Sequence, residues 1–256
     1  MDCDVEEPNS HIFIKPEINN IISVPIPVPK VDEAKCNYCG KCAELCEYNA
    51  IAVLNDNILV FPELCHGCGA CSNLCPQNAI KEINRQIGVV EIGTKEKLQF
   101  AHGRLNIGEA MSPPLIKAVK EYSNPARTVI IDAPPGTSCP VIGAIKGSDY
   151  CILVTEPTPF GLNDLILAVE VLRKLKIPFG VVINRSDLGN KKTDEYCAKE
   201  NISVLMRIPF KKEIASLYSK GRMIIESFPE YRQQFYQLFE TINGVVKKNL
   251  PFGQKL

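Results

Sequence analysis

The sequence contains no tryptophan, no excess of either charge and no long apolar run. Its 256 residues include 29 basic and 29 acidic side chains, so the formal net charge is zero. A neutral chain has no electrostatic basis for binding nucleic acid, and we expect no nucleic-acid partner. The longest apolar runs, such as residues 151–154, fall far short of the roughly 18 residues that a membrane-spanning helix requires. The composition therefore indicates a globular protein without a membrane span.

The N-terminal residues also lack the features of a secretion signal. Residues 1–7 are acidic and include no basic or apolar stretch, so we expect a cytoplasmic protein. The chain nevertheless contains 12 cysteines. In a chain of this length with no secretion signal, so many cysteines indicate metal or redox chemistry rather than disulfides.

Eight of the cysteines form two runs with the same internal spacing, Cys-x2-Cys-x2-Cys-x3-Cys. The runs begin at Cys36 and Cys65, 29 positions apart, and each is followed by the same Asn-Ala-Ile sequence. This regularity indicates an internal duplication.

The spacing predicts two [4Fe–4S] clusters. Three thiolates separated by two residues wrap a loop around a cubane, and the fourth cysteine of such a run ligates the other cluster. The predicted ligand sets are Cys36, Cys39, Cys42 and Cys75 for the first cluster, and Cys65, Cys68, Cys71 and Cys46 for the second. A pair of zinc sites is the alternative, although zinc modules usually combine two ligands from one knuckle with two from a distant one.

The residues that follow the cysteine block alternate between short β-rich runs and stretches of helical period. The pattern predicts strands at 128–132, 150–155, 179–184 and 204–208, and helices at 162–175, 191–200, 211–219 and 231–248. Because the spacing between successive strands accommodates a crossover helix, the pattern predicts a parallel sheet with helices on both faces.

Ligands of such sheets bind beyond the carboxyl ends of the strands. Asp132 follows one predicted strand and precedes the stiff sequence Ala-Pro-Pro-Gly, an arrangement that suits a magnesium site of the Walker B kind. An aspartate that begins a Pro/Gly turn is the alternative. Asn184 ends another strand, where its amide suits the edge of a purine or, alternatively, a simple turn.

The cysteine block resembles bacterial-type two-cluster ferredoxins. Other motifs resemble, in the same order, those of MinD-type P-loop ATPases: residues 2–9 (Asp-Cys-Asp-Val-Glu-Glu-Pro-Asn), 132–136, 155–162, 184–185 and 208–210. Over its whole length the chain is similar to MinD-superfamily ATPases with an inserted ferredoxin domain, relatives of the nitrogenase iron protein and of the Mrp group. The resemblance implies an α/β fold with a doubly wound, mostly parallel sheet. A discontinuous nucleotide-binding domain would cover residues 1–30 and 84–256, with an α+β ferredoxin domain at 31–83.

The resemblance also implies roles for individual residues. Asp4 would position the attacking water, Asp2 would support the Mg²⁺ site, and Asp132 would bind Mg²⁺ through water. Gly136 would serve as the hinge of a switch loop. Asn184 would contact adenine of ATP or ADP, and the backbone near Pro209 would flank the base. The family further implies a homodimer and a redox partner protein.

One defining element of that family does not occur in the sequence. The phosphate loop, G-x-x-x-x-G-K-[ST], has no match, and the one Gly-Lys pair, at residues 40–41, lies inside the first cysteine run. Without the amides and lysine of that loop, nothing cradles the β- and γ-phosphates, so we expect the 256-residue chain to bind ATP poorly. Three explanations remain open: a recorded start at an internal methionine, a truncated gene, or a loop supplied by a separate chain. We favour the first.

The sequence thus predicts an iron–sulfur protein in which electron transfer through two [4Fe–4S] clusters is coupled to ATP binding or hydrolysis. The alternative is a ferredoxin-type electron carrier, or a carrier of clusters as cargo, on a degenerate ATPase scaffold.

Overall fold

A computed structural model describes residues 1–249 of the chain, which divide into two compact units: the first is Met1–Pro134, and the second begins at Pro135. The strands are β1 (Glu17–Val31), β2 (Ile51–Leu54), β3 (Asn57–Val60), β4 (Ile80–Lys95), β5 (Leu98–Leu105), β6 (Cys151–Thr155), β7 (Phe179–Asn184) and β8 (Val204–Ile208). The helices are α1 (Ser10–Ile14), α2 (Lys41–Leu45), α3 (Ala70–Leu74), α4 (Pro113–Lys120), α5 (Cys139–Ile145), α6 (Pro159–Leu175), α7 (Lys192–Lys199), α8 (Lys212–Ser219), α9 (Ile224–Ser227) and α10 (Pro229–Asn249). Among residues 1–249, no helix is long and apolar enough to cross a membrane.

The first unit is built on an antiparallel sheet with the strand order β1-β4-β5. The two long strands β1 and β4 pair from Glu17 opposite Thr94 to Val31 opposite Ile80. The chain between these paired ends, residues 32–79, contains both cysteine runs and the β2–β3 hairpin. The long pair therefore carries the cysteine block at one end of the sheet.

Strand β1 tolerates three prolines because it is an edge strand. Pro25, Pro27 and Pro29 alternate with Ile26 and Val28; these two residues and Pro29 are buried. Residues two apart direct their backbone groups to the same edge, so prolines at this spacing are tolerated on the edge that has no partner strand.

Helix α4 covers the other part of this sheet and forms the core of the first unit. Leu115, Ile116 and Val119 of α4 are buried. Gly103 of β5 permits the close approach, because a Cβ there would lie 2.5 Å from Val5 and 3.0 Å from Leu115 and Val119. The segment around Val5 runs beside β5, with the Leu105 N–H donating to the Val5 carbonyl at 2.9 Å.

The predicted strand at 128–132 is wrong as a strand. Residues 128–131 belong to no strand, and only Asp132 forms a bridge, to Asp2. Three hydrogen bonds hold it: Met1 N to the Ile130 carbonyl at 2.7 Å, Asp132 N to the Met1 carbonyl at 2.8 Å, and Cys3 N to the Asp132 carbonyl at 2.8 Å. Because residues 1–3 pair with so short a stretch, no ladder develops, and Ile130 stays 76% exposed despite its apolar sequence context.

The second unit contains a parallel sheet with the strand order β6-β7-β8. The predicted strands at 150–155, 179–184 and 204–208 are confirmed within one residue, as are the helices at 191–200 and 211–219; α6 and α10 begin two or three residues before their predicted starts. Helices cover both faces of β7. Val181 and Ile183 pack with Leu165 and Val169 of α6 on one face, and Val182 packs with Tyr231 of α10 on the other.

The chain therefore has a mixed α/β fold with one parallel sheet and antiparallel sheets, as the sequence predicts at that level. The domain boundaries at 30/31 and 83/84 stay a prediction, and residues 250–256 of the proposed nucleotide-binding domain lie outside the described part of the chain.

Candidate functional site

The duplication of the cysteine runs extends to their backbone conformation. Each run enters a five-residue helix, α2 or α3, after a glycine with positive φ, Gly40 at 77° and Gly69 at 72°. Each run is also followed by an asparagine in the left-handed region, Asn49 at 52° and Asn78 at 49°. The two loops therefore share a positive φ at the glycine before each helix and at the asparagine after each run.

Backbone N–H groups point at cysteine sulfurs in both runs. The Ala50 N–H donates to Cys46 Sγ and the Ala79 N–H to Cys75 Sγ, each at 3.3 Å. A third such bond, from Gly67 N to Cys65 Sγ, is 3.4 Å long. Hydrogen bonds of this kind offset the negative charge of thiolate ligands and help to set the reduction potential of an iron–sulfur cluster.

One cavity gathers the cysteines predicted for the first cluster. The residues that line it include Cys36, Cys39, Cys42 and Cys75, together with the apolar residues Val53, Ile58 and Ile80. Cys75 comes from the second run, as the crossed ligand pattern requires. Each thiolate of a cubane ligates a different iron, so four thiols around one apolar cavity fit a [4Fe–4S] cluster.

The cysteines predicted for the second cluster act on one another electrostatically. Burial is the main cause that raises the pKa of the Cys65 thiol, and the neighbouring Cys68 and Cys46 raise it further. Burial likewise raises the pKa of Cys71 to about 11, with added contributions from Cys65 and Cys68. Cys46 of the first run is thus within electrostatic range of Cys65 in the second run. Ligation by these eight residues remains a prediction, and cluster insertion would displace their protons.

The surroundings of the two sites differ. Beside the second site, the Tyr48 and His66 rings stack with their centroids 3.5 Å apart and an angle of 8° between planes. The positions equivalent to them in the repeat are Gln77 and Asn37, which line the cavity of the first site. A side chain at Gly67 would be crowded and strained, because its Cβ would lie 3.0 Å from the Pro27 carbonyl oxygen and the backbone φ is 64°.

A second cluster of candidate residues, the carboxylate cluster Asp2, Asp4 and Asp132, lies elsewhere in the first unit. Asp2 is fully buried and accepts three backbone hydrogen bonds, from Asp4 at 3.1 Å, Asn9 at 3.1 Å and Ser10 at 3.0 Å. The Ser10 hydroxyl then donates to Asp132 Oδ2 at 2.8 Å. Asp2 thereby fixes the loop that brings Ser10 to Asp132.

The charges of Asp2 and Asp132 act on Asp4. Burial is the main cause that raises the pKa of Asp4; the charges of Asp2 and Asp132 raise it further, against a backbone hydrogen bond at Glu7 that lowers it. Among the described residues, no three Asp, Glu, His or Cys side chains are arranged as they would be to hold a metal ion. Binding of Mg²⁺ by these carboxylates stays a prediction.

The remaining predicted nucleotide residues belong to the second unit. Asn184 ends β7 opposite Ile208, the last residue of β8, and Pro209 follows directly. These two residues thus lie at the carboxyl ends of adjacent strands, where ligands of parallel sheets bind. Gly136 has a φ of 93°, and a Cβ there would meet nothing within 4 Å. The roles of Asn184, Pro209 and Gly136 toward a nucleotide remain predictions.

Sequence reasoning missed Ser10, Tyr48 and the pair Arg85 and Glu109. Ser10 directly follows the motif at residues 2–9, so its position was the available signal. Arg85 and Glu109 form an ion pair with 2.5 Å between Nη1 and Oε2, but 24 positions separate them in the chain. No local pattern marks such a pair.

Comparison with known proteins identifies the cysteine block. The 4Fe-4S binding domain family matches the chain twice, over residues 29–52 and 58–81. These matches confirm the prediction of two [4Fe–4S] binding motifs, and with them the iron–sulfur cofactors and an electron-carrier role.

Three proteins of Methanocaldococcus jannaschii are similar to the chain. The uncharacterized protein MJ0579 is 30% identical over 256 residues, which cover 96% of this chain and 86% of that protein. The uncharacterized protein MJ0578 is 28% identical over 248 residues, with the same two coverages of 96% and 86%. A coenzyme F420-dependent sulfite reductase is 42% identical over 40 residues, 16% of this chain and 6% of that enzyme.

Proposed function

The chain belongs to the family of the uncharacterized protein MJ0579, and we propose that it is an electron carrier whose two [4Fe–4S] clusters are coupled to ATP in a MinD-like nucleotide domain. The carrier role rests on the two matched 4Fe-4S motifs. The proposed part comprises coupling to ATP, the doubly wound P-loop fold, the homodimer, the redox partner protein and the cytoplasmic location.

In this proposal the two cysteine sets hold the clusters, and the groups around each set determine its hydrogen bonding and its access to water. A bound [4Fe–4S] cluster supplies one-electron redox chemistry. The chain supplies the thiolates, the N–H groups of Ala50, Ala79 and Gly67 that point at cysteine sulfurs, and the apolar walls of the first cavity. These groups would hold each cluster, limit water access and set the potential at which it is reduced.

The hydrogen bond from Ser10 to Asp132 is the observation that carries the nucleotide part of the proposal. It joins the motif at residues 2–9 to the sequence that precedes the Pro-Pro-Gly turn, two segments 122 positions apart. The resulting carboxylate cluster would bind Mg²⁺, with Asp132 acting through water and Asp4 orienting the attacking water. Asn184 and the backbone near Pro209 would bind adenine.

The test of coupling is a redox titration of the cluster-loaded protein with Mg²⁺ alone and with MgATP. Because residues 1–256 contain no G-x-x-x-x-G-K-[ST] sequence, ATP is titrated into the millimolar range. Coupling predicts that MgATP shifts a cluster midpoint or alters the electron paramagnetic resonance spectrum, and that Asp132→Asn abolishes this effect. Asp164→Asn on α6, an exposed aspartate outside the carboxylate cluster, is the matched control and should respond as the natural protein does. Identical titrations with and without ATP would contradict coupling. They would favour the alternative of an electron carrier on a degenerate ATPase scaffold.

The exposure of two predicted ligands favours a second candidate function, delivery of clusters to other proteins. Cys39 and Cys68 are exposed, one at each site. Incubation with an apo-acceptor protein separates the two functions. Transfer of iron and sulfide to the acceptor supports delivery, whereas reversible reduction with full retention of the clusters supports electron transfer.

A further inference from the structure

Tyr48 and His66 come from different cysteine runs and stack on each other. Their ring centroids lie 3.5 Å apart with 8° between the planes, so the rings are in van der Waals contact over their faces. Tyr48 is 43% exposed, and His66 is exposed as well. The contact therefore joins the end of the first run to the start of the second run at the protein surface.

Tyr48 lies in the turn that follows Cys46, a predicted ligand of the second cluster. The Asn49 N–H donates to the Cys46 carbonyl at 3.0 Å, and the Ala50 N–H donates to Cys46 Sγ at 3.3 Å. Asn49 has a left-handed φ of 52°, which turns the chain back toward the sulfur. The backbone that carries the Tyr48 ring is therefore hydrogen-bonded to the sulfur of Cys46.

His66 lies in a comparable turn at the start of the second run. The Cys65 N–H donates to the Pro62 carbonyl at 3.2 Å, which holds Cys65 at the end of a short 3₁₀ turn. The Gly67 N–H donates to Cys65 Sγ at 3.4 Å, and His66 is the residue that this bond encloses. Each ring of the stack is thus attached to a turn whose backbone contacts a predicted ligand sulfur.

Cys46 is the one ligand predicted for the second cluster that the second run does not supply. The other three, Cys65, Cys68 and Cys71, follow one another within a single loop. Holding a separate segment in place costs conformational entropy, so a ligand on such a segment is the most easily withdrawn of the four. A contact between the two segments, close to the ligands, lowers that cost.

The counterparts of the two rings at the first site are not aromatic. In the 29-residue repeat, Gln77 corresponds to Tyr48 and Asn37 corresponds to His66. The turn that carries Gln77 repeats the two hydrogen bonds of the turn that carries Tyr48, at 3.1 Å to a cysteine carbonyl and 3.3 Å to its sulfur. The repeat thus keeps the turn and changes the side chain on it, which makes Gln77 a matched control for Tyr48.

We propose that Tyr48 and His66 form an aromatic clamp that holds Cys46 against the second cysteine run and slows loss of the cluster assigned to these cysteines. The proposal rests on the proposed iron–sulfur function. Both residues are positioning residues: the ring contact restrains the two turns, and the turns restrain the sulfurs. A restrained thiolate that leaves an iron is recaptured before the iron is lost. Because the contact is between ring faces, a phenyl ring at position 48 should serve as well as the tyrosine.

The experiment follows iron release from the cluster-loaded full chain to the chelator 2,2′-bipyridyl under anaerobic conditions. Samples taken over time are pulsed with iodoacetamide, which alkylates each cysteine once its iron has left, and peptide mass spectrometry assigns the alkylated cysteines to the two ligand sets. Stacked aromatic pairs contribute enough for Tyr48→Ala to free the second set about tenfold faster, with the first set unchanged. Tyr48→Phe keeps the ring and should restore the natural rate.

A double-mutant cycle separates a clamp from two independent structural effects. If the rings act through each other, a chain with both Tyr48→Ala and His66→Ala frees the second set no faster than either single variant does. The control Gln77→Ala should leave the second set at its natural rate. An alanine variant that assembles only the first cluster shows the same effect in a stronger form, provided that Tyr48→Phe assembles both.

Three results would overturn the inference: natural release rates in Tyr48→Ala, additive effects of the two alanine substitutions, or equal acceleration of both ligand sets. Absence of bound iron and sulfide in the natural protein would instead overturn the proposed iron–sulfur function itself.

Discussion

At the scale of single residues, burial determines what each polar or reactive side chain does. Asp2 has no exposed surface and uses its carboxylate to pair three backbone N–H groups. Asp132 is exposed and accepts a hydrogen bond from the Ser10 hydroxyl. The two aspartates therefore differ in role: Asp2 holds the loop in place, whereas Asp132 is exposed to solvent.

Replacing Asp2 by alanine should destabilise the protein strongly. The change leaves three N–H groups without an acceptor, and we expect the free energy of unfolding to fall by about 3 kcal/mol. Urea denaturation followed by circular dichroism measures the loss. Asp164→Ala, an exposed control, should change the value by less than about 0.5 kcal/mol. Equal stability of the two variants would contradict the structural role of Asp2.

Two cysteines outside the cluster motifs should differ in reactivity. Burial raises the pKa of Cys151 to about 11, whereas Cys139 is exposed at the start of α5. A raised pKa reduces the thiolate fraction at lower pH, so at pH 8 only about one Cys151 in a thousand is thiolate, and alkylation accelerates as the pH rises toward 11. Iodoacetamide at pH 8 followed by peptide mass spectrometry should therefore label Cys139 well before Cys151. Labelling of Cys151 first would show that its burial is wrong.

At the scale of elements, the sequence pattern predicts a strand or helix well where the apolar run or helical period that forms it lies within one short stretch of chain. Strands β6, β7 and β8 and their helices were predictable because apolar runs and helical periods alternate along the second unit. Residues 128–132 failed as a strand although they have the same apolar composition. A strand needs a partner, and only Asp132 pairs, with Asp2. Spacing predicts the crossed cysteine pattern, which stays a prediction. It does not predict the contact of Arg85 with Glu109, because that contact depends on how the loop after β5 returns to β4.

The second cysteine loop depends on a glycine that its packing requires. Gly67 has a φ of 64° and lies against Pro27 of β1, so alanine at this position is strained by its backbone, at a cost of about 1–2 kcal/mol, and also by contact. We expect Gly67→Ala to lose the second cluster and about half of the bound iron. Iron analysis per chain measures this.

The control is Tyr38→Ala, because Tyr38 is the counterpart of Gly67 in the first loop and also has a positive φ, 54°. It should retain most of the iron, since truncating the side chain introduces no new contact. Full iron content in Gly67→Ala would show that the loop is free to move away from β1.

At the scale of the whole molecule, the chain combines a duplicated cysteine module with two compact units of different sheet type. The sequence predicts the module because metal ligands must recur at fixed spacing. The sequence also predicts that Asn184 and Pro209 lie at the ends of strands, and the structure places them there. It further identifies Asp2, Asp4 and Asp132 as candidate site residues. The sequence does not reveal the differences between the two cluster sites, because the stack of Tyr48 on His66 comes from long-range packing.

The account depends most directly on the presence of two [4Fe–4S] clusters. The decisive measurement is iron and acid-labile sulfide per chain after anaerobic reconstitution, with electron paramagnetic resonance before and after reduction by dithionite. We predict about eight irons and eight sulfides per chain and a signal from two reduced, interacting clusters that appears on reduction and disappears on reoxidation. Tightly bound zinc without sulfide, and no resonance after reduction, would contradict the account and support the zinc-site alternative.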